Sequence, residues 1–174
     1  MNSILTLCGS LRAESSNGRL LRAAARLLSD GFQVDHYEGL ASLPAFDPGQ
    51  DTDAGPAVED LRRRVKAASA VLIASPEYAH GIPGSLKNAL DWLVGSGELV
   101  DKPVAVILAS TSDGAFARQA LVEVLRTMSA KVADELVMGV GGIRSKVKRD
   151  GEIEVALEDE LRILTKNLLR AFQP

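Results

Sequence analysis

Three short runs constrain this chain more than anything else in it. Ser3–Cys8 (SILTLC), Ala70–Ser75 (AVLIAS) and Val104–Ser110 (VAVILAS) are rich in Val, Ile, Leu and Ala and show little alternation of apolar with polar residues. A strand with one wet face alternates, because successive side chains point to opposite sides of a sheet. Strands that do not alternate are covered on both faces, and such strands belong to parallel sheets with helices above and below. Two further runs, Phe32–Tyr37 and Val132–Met138, are weaker and carry charges, as strands nearer a sheet edge can.

The segments between these runs have helical period. Leu20, Leu21, Ala24, Leu27 and Leu28 form one stripe in Asn17–Asp30, with Gly31 placed to end that helix in left-handed geometry. Val58, Leu61 and Val65 mark a second helix. Leu86, Ala89, Leu90 and Leu93 mark a third within Pro83–Val94, and Phe116, Ala120, Val124 and Leu125 a fourth. Leu157, Leu161, Leu164, Leu168 and Phe172 mark the last. Five β-α alternations in 174 residues predict a flavodoxin-like α/β fold: a doubly wound five-stranded parallel sheet, order 2-1-3-4-5, with helices on both faces. The length fits a single domain, residues 1–174. The irregular stretches Gly39–Gly55 and Gly139–Glu152 do not read as boundaries, since the β-α count needs both sides of each.

Several function classes fall away. One cysteine, Cys8, excludes an intramolecular disulfide. Lys plus Arg total 20 against 23 Asp plus Glu, so bulk charge gives no reason to expect nucleic-acid binding. Seven aromatic residues are too few for a surface that stacks single-stranded bases. The N-terminal apolar run is about five residues, short of a signal-peptide core and of the ~20 that span a bilayer. The expectation is a cytoplasmic protein with no membrane partner. Cys8, His36 and His80 are scattered, so no metal site is expected. No G-x-S-x-G elbow is present.

In doubly wound sheets ligands bind beyond the strand carboxyl ends, where strand order reverses. Here that point lies between the first and third strands, and the two chemically densest loops follow those strands. The first reads GSLRAESSN (Gly9–Asn17) and runs into a helix. Ser15, Ser16 and Asn17 are each suited to N-cap it. Arg12 adds a forked cation, and a helix N-terminus with free N–H groups completes an anion site suited to phosphate. A capped surface loop with a solvated arginine has the same composition. Neither a G-x-G-x-x-G fingerprint nor a P-loop lysine is present. The second loop opens the stretch SPEYAHGIPGSLKNALDWL (Ser75–Leu93). Pro76 and Pro83 stiffen it, Gly81 and Gly84 permit close approach, and Tyr78 offers an aromatic for a planar heterocycle. Glu77 and His80 stand at its rim, each equally readable as a solvated surface group.

These two stretches together resemble the NADPH-dependent FMN reductase family, which includes quinone, azo-dye and chromate reductases. Ser10, Arg12, Ser15 and Asn17 match the family's phosphate loop. Pro76, Glu77, Tyr78, Pro83, Gly84, Leu86, Lys87, Asn88, Ala89, Asp91 and Trp92 match its second loop and helix. The resemblance implies that Ser10, Arg12, Ser15, Ser16 and Asn17 hold the phosphate of FMN. It implies that Pro76, Glu77, Tyr78, Ala79 and His80 line the isoalloxazine edge. Ala79 stands where the family often has asparagine. Ser110, Thr111 and Gly114, after the fourth strand, are further flavin contacts by the same resemblance, in a loop less glycine-rich than the family's.

The implied activity is transfer of hydride from NADPH or NADH to FMN, and then of electrons to a quinone, flavin, azo compound or similar small-molecule acceptor. No side chain is required as a nucleophile, so none is assigned as catalytic. A one-electron flavodoxin-type carrier and a non-flavin phospholigand module are the alternatives. The carrier fits less well because flavodoxins bracket the flavin with aromatics and are strongly acidic, whereas these loops hold only Tyr78. The module leaves the long second motif unexplained. Arg144, Lys146, Lys148 and Arg149 form a basic cluster that reads first as a solvated loop and second as a contact for a 2′-phosphate. By resemblance the chain forms a homodimer or homotetramer, with Trp92, Leu93, Val94 and the Gly39–Gly55 stretch as interface material.

Overall fold

A computed structural model describes residues 2–28, 31–148 and 150–172. The strands are β1 (Ser3–Cys8), β2 (Gln33–Tyr37), β3 (Ala70–Ser75), β4 (Val104–Ala109) and β5 (Val137–Val140). They form one sheet in the order β2-β1-β3-β4-β5, with every neighbouring pair parallel. Ile4 lies opposite Ala70, and Val71 opposite Val104.

The missing alternation has its cause here. Every residue of β3 and β4 is buried. Val71 and Ile73 of β3, with Val104, Val106 and Leu108 of β4, face one core. That core is closed by α2 (Pro56–Ala67), α3 (Gly84–Val94) and α4 (Ala115–Thr127) through Leu61, Leu86, Leu90, Leu121 and Leu125. Ala70, Leu72 and Ala74, with Ala105 and Ile107, face a second core. It is closed by α1 (Ser16–Leu28) and α6 (Val155–Ala171) through Leu20, Ala24, Leu28, Leu157, Leu161 and Leu168. Helices thus cover both faces, and only the strand ends are left for a ligand.

The predicted boundaries shift in a few places. The first helix runs from Ser16 to Leu28, followed by Gly31 at φ +94°, and the predicted end at Asp30 lies outside the described residues. The second strand begins at Gln33, and Phe32 packs edge-on against Phe172 at 5.4 Å. The fifth strand is Val137–Val140 rather than Val132–Met138. Asp134–Leu136 winds into a 3-10 turn, so pairing with β4 starts only where Val137 meets Val106. A short helix, α5 (Ile143–Lys146), follows β5 with no forewarning in the sequence.

Trp92 and Leu93 are not interface material, because each is only 1% exposed within this chain. The Trp92 indole N–H donates to the Pro44 carbonyl at 2.9 Å, and Phe46 packs edge-on against its ring. Asn88 donates to the same carbonyl and accepts from the Phe46 N–H. The Arg62 guanidinium joins Asp51 to the Trp92 carbonyl. Residues 39–55 are thereby bound down onto α3, and Val94 stays exposed.

Candidate functional site

A cleft of about 870 Å³ opens at the carboxyl ends of β1, β3, β4 and β5, at the reversal of strand order. Gly9 begins its first wall, where a Cβ would stand 2.7 Å from the Ser75 hydroxyl and 3.1 Å from the Leu86 side chain, so glycine lets β1 pass β3 without displacing them. The loop then turns on a bond from the Ser15 N–H to the Arg12 carbonyl. Of the three candidate caps, Ser15 is the one in place. Its hydroxyl accepts from the Gly18 N–H at 3.0 Å, and its carbonyl accepts the first helical bond from Arg19.

With Ser15 capping Gly18, the N–H groups of Ser16 and Asn17 are left at the open end of α1, on the cleft wall. Arg12 lines the cleft, exposed and without an ion pair among the described residues. Arg19 lines it too but is neutralised by Glu14 at 2.8 Å. Asn17 is 4% exposed. Its amide N–H donates to the Ala109 carbonyl at 3.0 Å, tying α1 to the end of β4, while its Oδ1 is buried with no partner among the described residues. The Cys8 thiol sits beneath the loop, 3.5 Å from the Ser10 carbonyl and 3.9 Å from the Ser15 hydroxyl.

The second wall is built differently. Tyr78 and Gly81 exchange both backbone hydrogen bonds at 2.9 Å, around a two-residue turn. Ala79 (φ +49°) and His80 (φ +59°) both stand in the left-handed region, the signature of a type I′ hairpin turn. The Tyr78 amide is spent on this turn, whereas the N–H groups of Glu77, Ala79 and His80 have no backbone partner among the described residues. Glu77 is not a solvated carboxylate: one oxygen accepts from the Ala117 N–H at 2.9 Å and the other from the Ser112 hydroxyl at 3.3 Å.

Of the predicted site residues, Ser10, Arg12, Ser15, Ser16, Asn17, Pro76, Glu77, Tyr78 and Ser110 line this one cleft, as does Thr111. Ala79, His80 and Gly114 do not. Ala79 and His80 form the turn at its rim, and Gly114, at φ +65°, starts α4. The His80 ring stacks on Phe116 at 4.4 Å, so a second exposed aromatic flanks the rim although it lies outside both motifs. Ile143, Arg144 and Val147 close the far side. Arg144, of the basic cluster, is therefore a cleft residue, whereas Lys148 pairs with Glu152 at 2.7 Å and Arg149 lies outside the described residues. Periodicity gave no hint of this wall, because a four-residue helix has no stripe. Among the described residues no cluster of His, Cys, Asp and Glu suits a metal, and no helix is long and apolar enough to cross a membrane.

A doubly wound sheet with a cleft at its switch point, walled by a capped helix N-terminus and by an arginine without an ion pair among the described residues, is a flavodoxin-like arrangement. The particular family is fixed by comparison. The sequence pattern of NADPH-dependent FMN reductases matches residues 2–143, and the chain belongs to that family. It is 34% identical to the quinone reductase of Escherichia coli (strain K12) over 160 residues, 86% of this chain and 84% of that protein. It is 42% identical to a rice (Oryza sativa subsp. japonica) protein named "Probable NADPH:quinone oxidoreductase 1" over 118 residues, 64% of this chain and 59% of the rice protein. In fold it is similar to FerB, a flavoenzyme NAD(P)H:(acceptor) oxidoreductase from Paracoccus denitrificans (TM-score 0.79, 23% identity, covering 99% of this chain and all of that one).

Proposed function

We propose that this chain, as one domain, binds FMN in the 870 Å³ cleft and is an NAD(P)H-dependent oxidoreductase. Its acceptor is a quinone, flavin, azo compound or similar small molecule. The observation that carries the reading is the pairing of an unneutralised Arg12 with the open N-terminus of α1 beside the partnerless Asn17 Oδ1. Phosphate fits the first two, and a hydroxyl next to that phosphate fits the third, since a buried acceptor without a donor is costly. A polyol phosphate is thus the ligand chemistry this wall asks for, and FMN has it.

FMN, when bound, supplies the redox chemistry, taking hydride from a reduced nicotinamide and giving electrons to the acceptor. The chain's own residues bind and orient. Arg12, with the N–H groups of Ser16 and Asn17, holds the phosphate. Asn17 Oδ1 accepts from the ribityl chain, and the hydroxyls of Ser10, Ser110 and Thr111 complete the polar floor. The free backbone donors of Glu77, Ala79 and His80 serve the heterocycle's polar edge and its developing negative charge. Arg144, without an ion pair among the described residues, stands on the opposite wall and serves the 2′-phosphate of NADPH. The exposure of Tyr78 (52%) leaves the mouth open to donor and acceptor in turn. The protein acts as a cytoplasmic homodimer or homotetramer, which family membership supports.

The experiment is an anaerobic titration of the purified chain with FMN and then NADPH or NADH. Bound flavin absorbance that the nicotinamide bleaches is expected, and a chain that neither binds saturating FMN nor reduces it ends the reading. Repeating the titration with Arg144→Ala should weaken NADPH more than NADH while FMN affinity stays the same.

A further inference from the structure

The α4 helix begins without a cap of its own. Its N-cap residue is Gly114, which has no side chain, and only Asp113 helps locally, accepting from the Ala115 N–H at 3.2 Å. The third N–H of the helix, that of Ala117, is taken by Glu77 from the neighbouring loop. A carboxylate in that position meets both an unsatisfied donor and the positive end of the helix dipole. The other Glu77 oxygen accepts from Ser112, whose hydroxyl lies 3.2 Å from that of Ser110, a cleft residue only 7% exposed. Three residues on from Glu77, His80 ties the turn to the same helix end again by stacking on Phe116. Glu77 thus joins three things: the β3 turn, the β4 loop and the start of α4.

We propose that Glu77 is a positioning residue for the flavin. Its carboxylate caps α4 across the loop boundary and so fixes where the free N–H groups of Glu77, Ala79 and His80 point before any ligand arrives. The side chain acts through the backbone it holds rather than by its own charge on the cofactor. This rests on the reading of the cleft as an FMN site.

Glu77→Gln and Glu77→Ala test it, with Ser112→Ala as a milder variant on an exposed loop. Glutamine keeps an acceptor for the Ala117 N–H, loses the charge, and turns the oxygen that faces Ser112 into an NH2 donor, which the Ser112 hydroxyl can accept. FMN affinity of each apoprotein is measured by fluorescence titration, beside its melting temperature and its KM for NAD(P)H. Glu77→Ala should weaken FMN roughly tenfold, as for one lost charge-assisted hydrogen bond, more than it changes the KM for NAD(P)H. Glu77→Gln should recover affinity to within about threefold of the wild type, and Ser112→Ala should cost about two- to threefold. Glu77→Ala that binds FMN like the wild type overturns the proposal, as does Glu77→Gln that binds no better than Glu77→Ala. If Glu77→Ala does not fold, an unchanged affinity in Ser112→Ala overturns it. A wild type that does not bind FMN sinks the cleft reading itself, and is thereby told apart from a failure of Glu77 alone.

Discussion

The two loops that wall the cleft solve the same problem in opposite ways. The loop after β1 is held mainly by its own residues: Ser15 caps α1 and the Arg12 carbonyl takes the Ser15 N–H, with Asn17 tying the helix start outward to Ala109 of β4. Its donors are those any helix N-terminus has to offer, so a few short polar side chains are enough to build it. The loop after β3 is held from outside. Its turn places two non-glycine residues at positive φ and is fastened to α4 through Glu77 and His80. One wall is unstrained and generic, whereas the other is strained and dependent on neighbours. That explains why the first motif in the sequence is short and weak and the second long and specific.

The sharpest way to break this comparison is Arg12→Ala. Arg12 is exposed and makes no ion pair among the described residues, so its loss should leave stability within about 0.5 kcal/mol. FMN binding should weaken by about 1–3 kcal/mol, the range for a hydrogen bond to a charged group. Isothermal titration of the apoprotein checks both the affinity and the unchanged fold. An unaltered affinity removes Arg12 from the site and with it the anionic character of the first wall. The next effect is smaller and of mixed kind. Ser15→Ala deletes the α1 cap, a loss of about 1 kcal/mol in stability. For a chain of this size that lowers the melting temperature by roughly 2–4 °C. Because Ser16 and Asn17 keep their backbone donors, FMN affinity should fall less than in Arg12→Ala. A larger loss of binding than of stability would mean that the Ser15 hydroxyl itself meets the ligand.

The contrast also marks what could be read without coordinates. β3 and β4 were legible because burial on both faces leaves a composition no other element shares, and their carboxyl ends located the cleft. The first wall followed from helix physics alone. β5 was misplaced because an edge strand of four residues carries too little pattern to outvote the charges of Asp134 and Glu135 beside it. The far wall of Ile143, Arg144 and Val147 was out of reach, since only tertiary packing brings α5 over the cleft. Phe116 next to His80 is the same kind of fact: 36 positions separate them in sequence, and no local signal links a loop to the start of a later helix. As interface material Trp92 misled for a related reason, although a packing role for it holds. Its partner is the carbonyl of Pro44, in a stretch whose irregular sequence gives no clue to where it lies.

The smallest expected effect sharpens the comparison most directly. Type I′ turns need positive φ at both central residues and therefore favour Asn-Gly. This chain has Ala79 and His80 there, at +49° and +59°. Left-handed geometry costs an L-residue such as alanine roughly 1 kcal/mol, because its Cβ crowds the following carbonyl oxygen. Asparagine tolerates the region through local hydrogen bonding, which gives a physical reason for asparagine at this position in the FMN reductase pattern. Ala79→Asn should therefore stabilise the apoprotein by about 0.5–1 kcal/mol, raising the melting temperature by a degree or more. Glycine would relieve the same strain, but its own entropy cost on folding, about 0.5–1 kcal/mol, cancels most of the gain. Thermal melts of wild type, Ala79→Asn and Ala79→Gly decide the matter. If asparagine brings no gain over alanine, the strain assigned to the second wall is absent, and the two walls differ only in what they touch. If it does bring the gain, the strain belongs to the turn itself, which the Tyr78–Gly81 bonds and the hold of Glu77 on α4 keep in place.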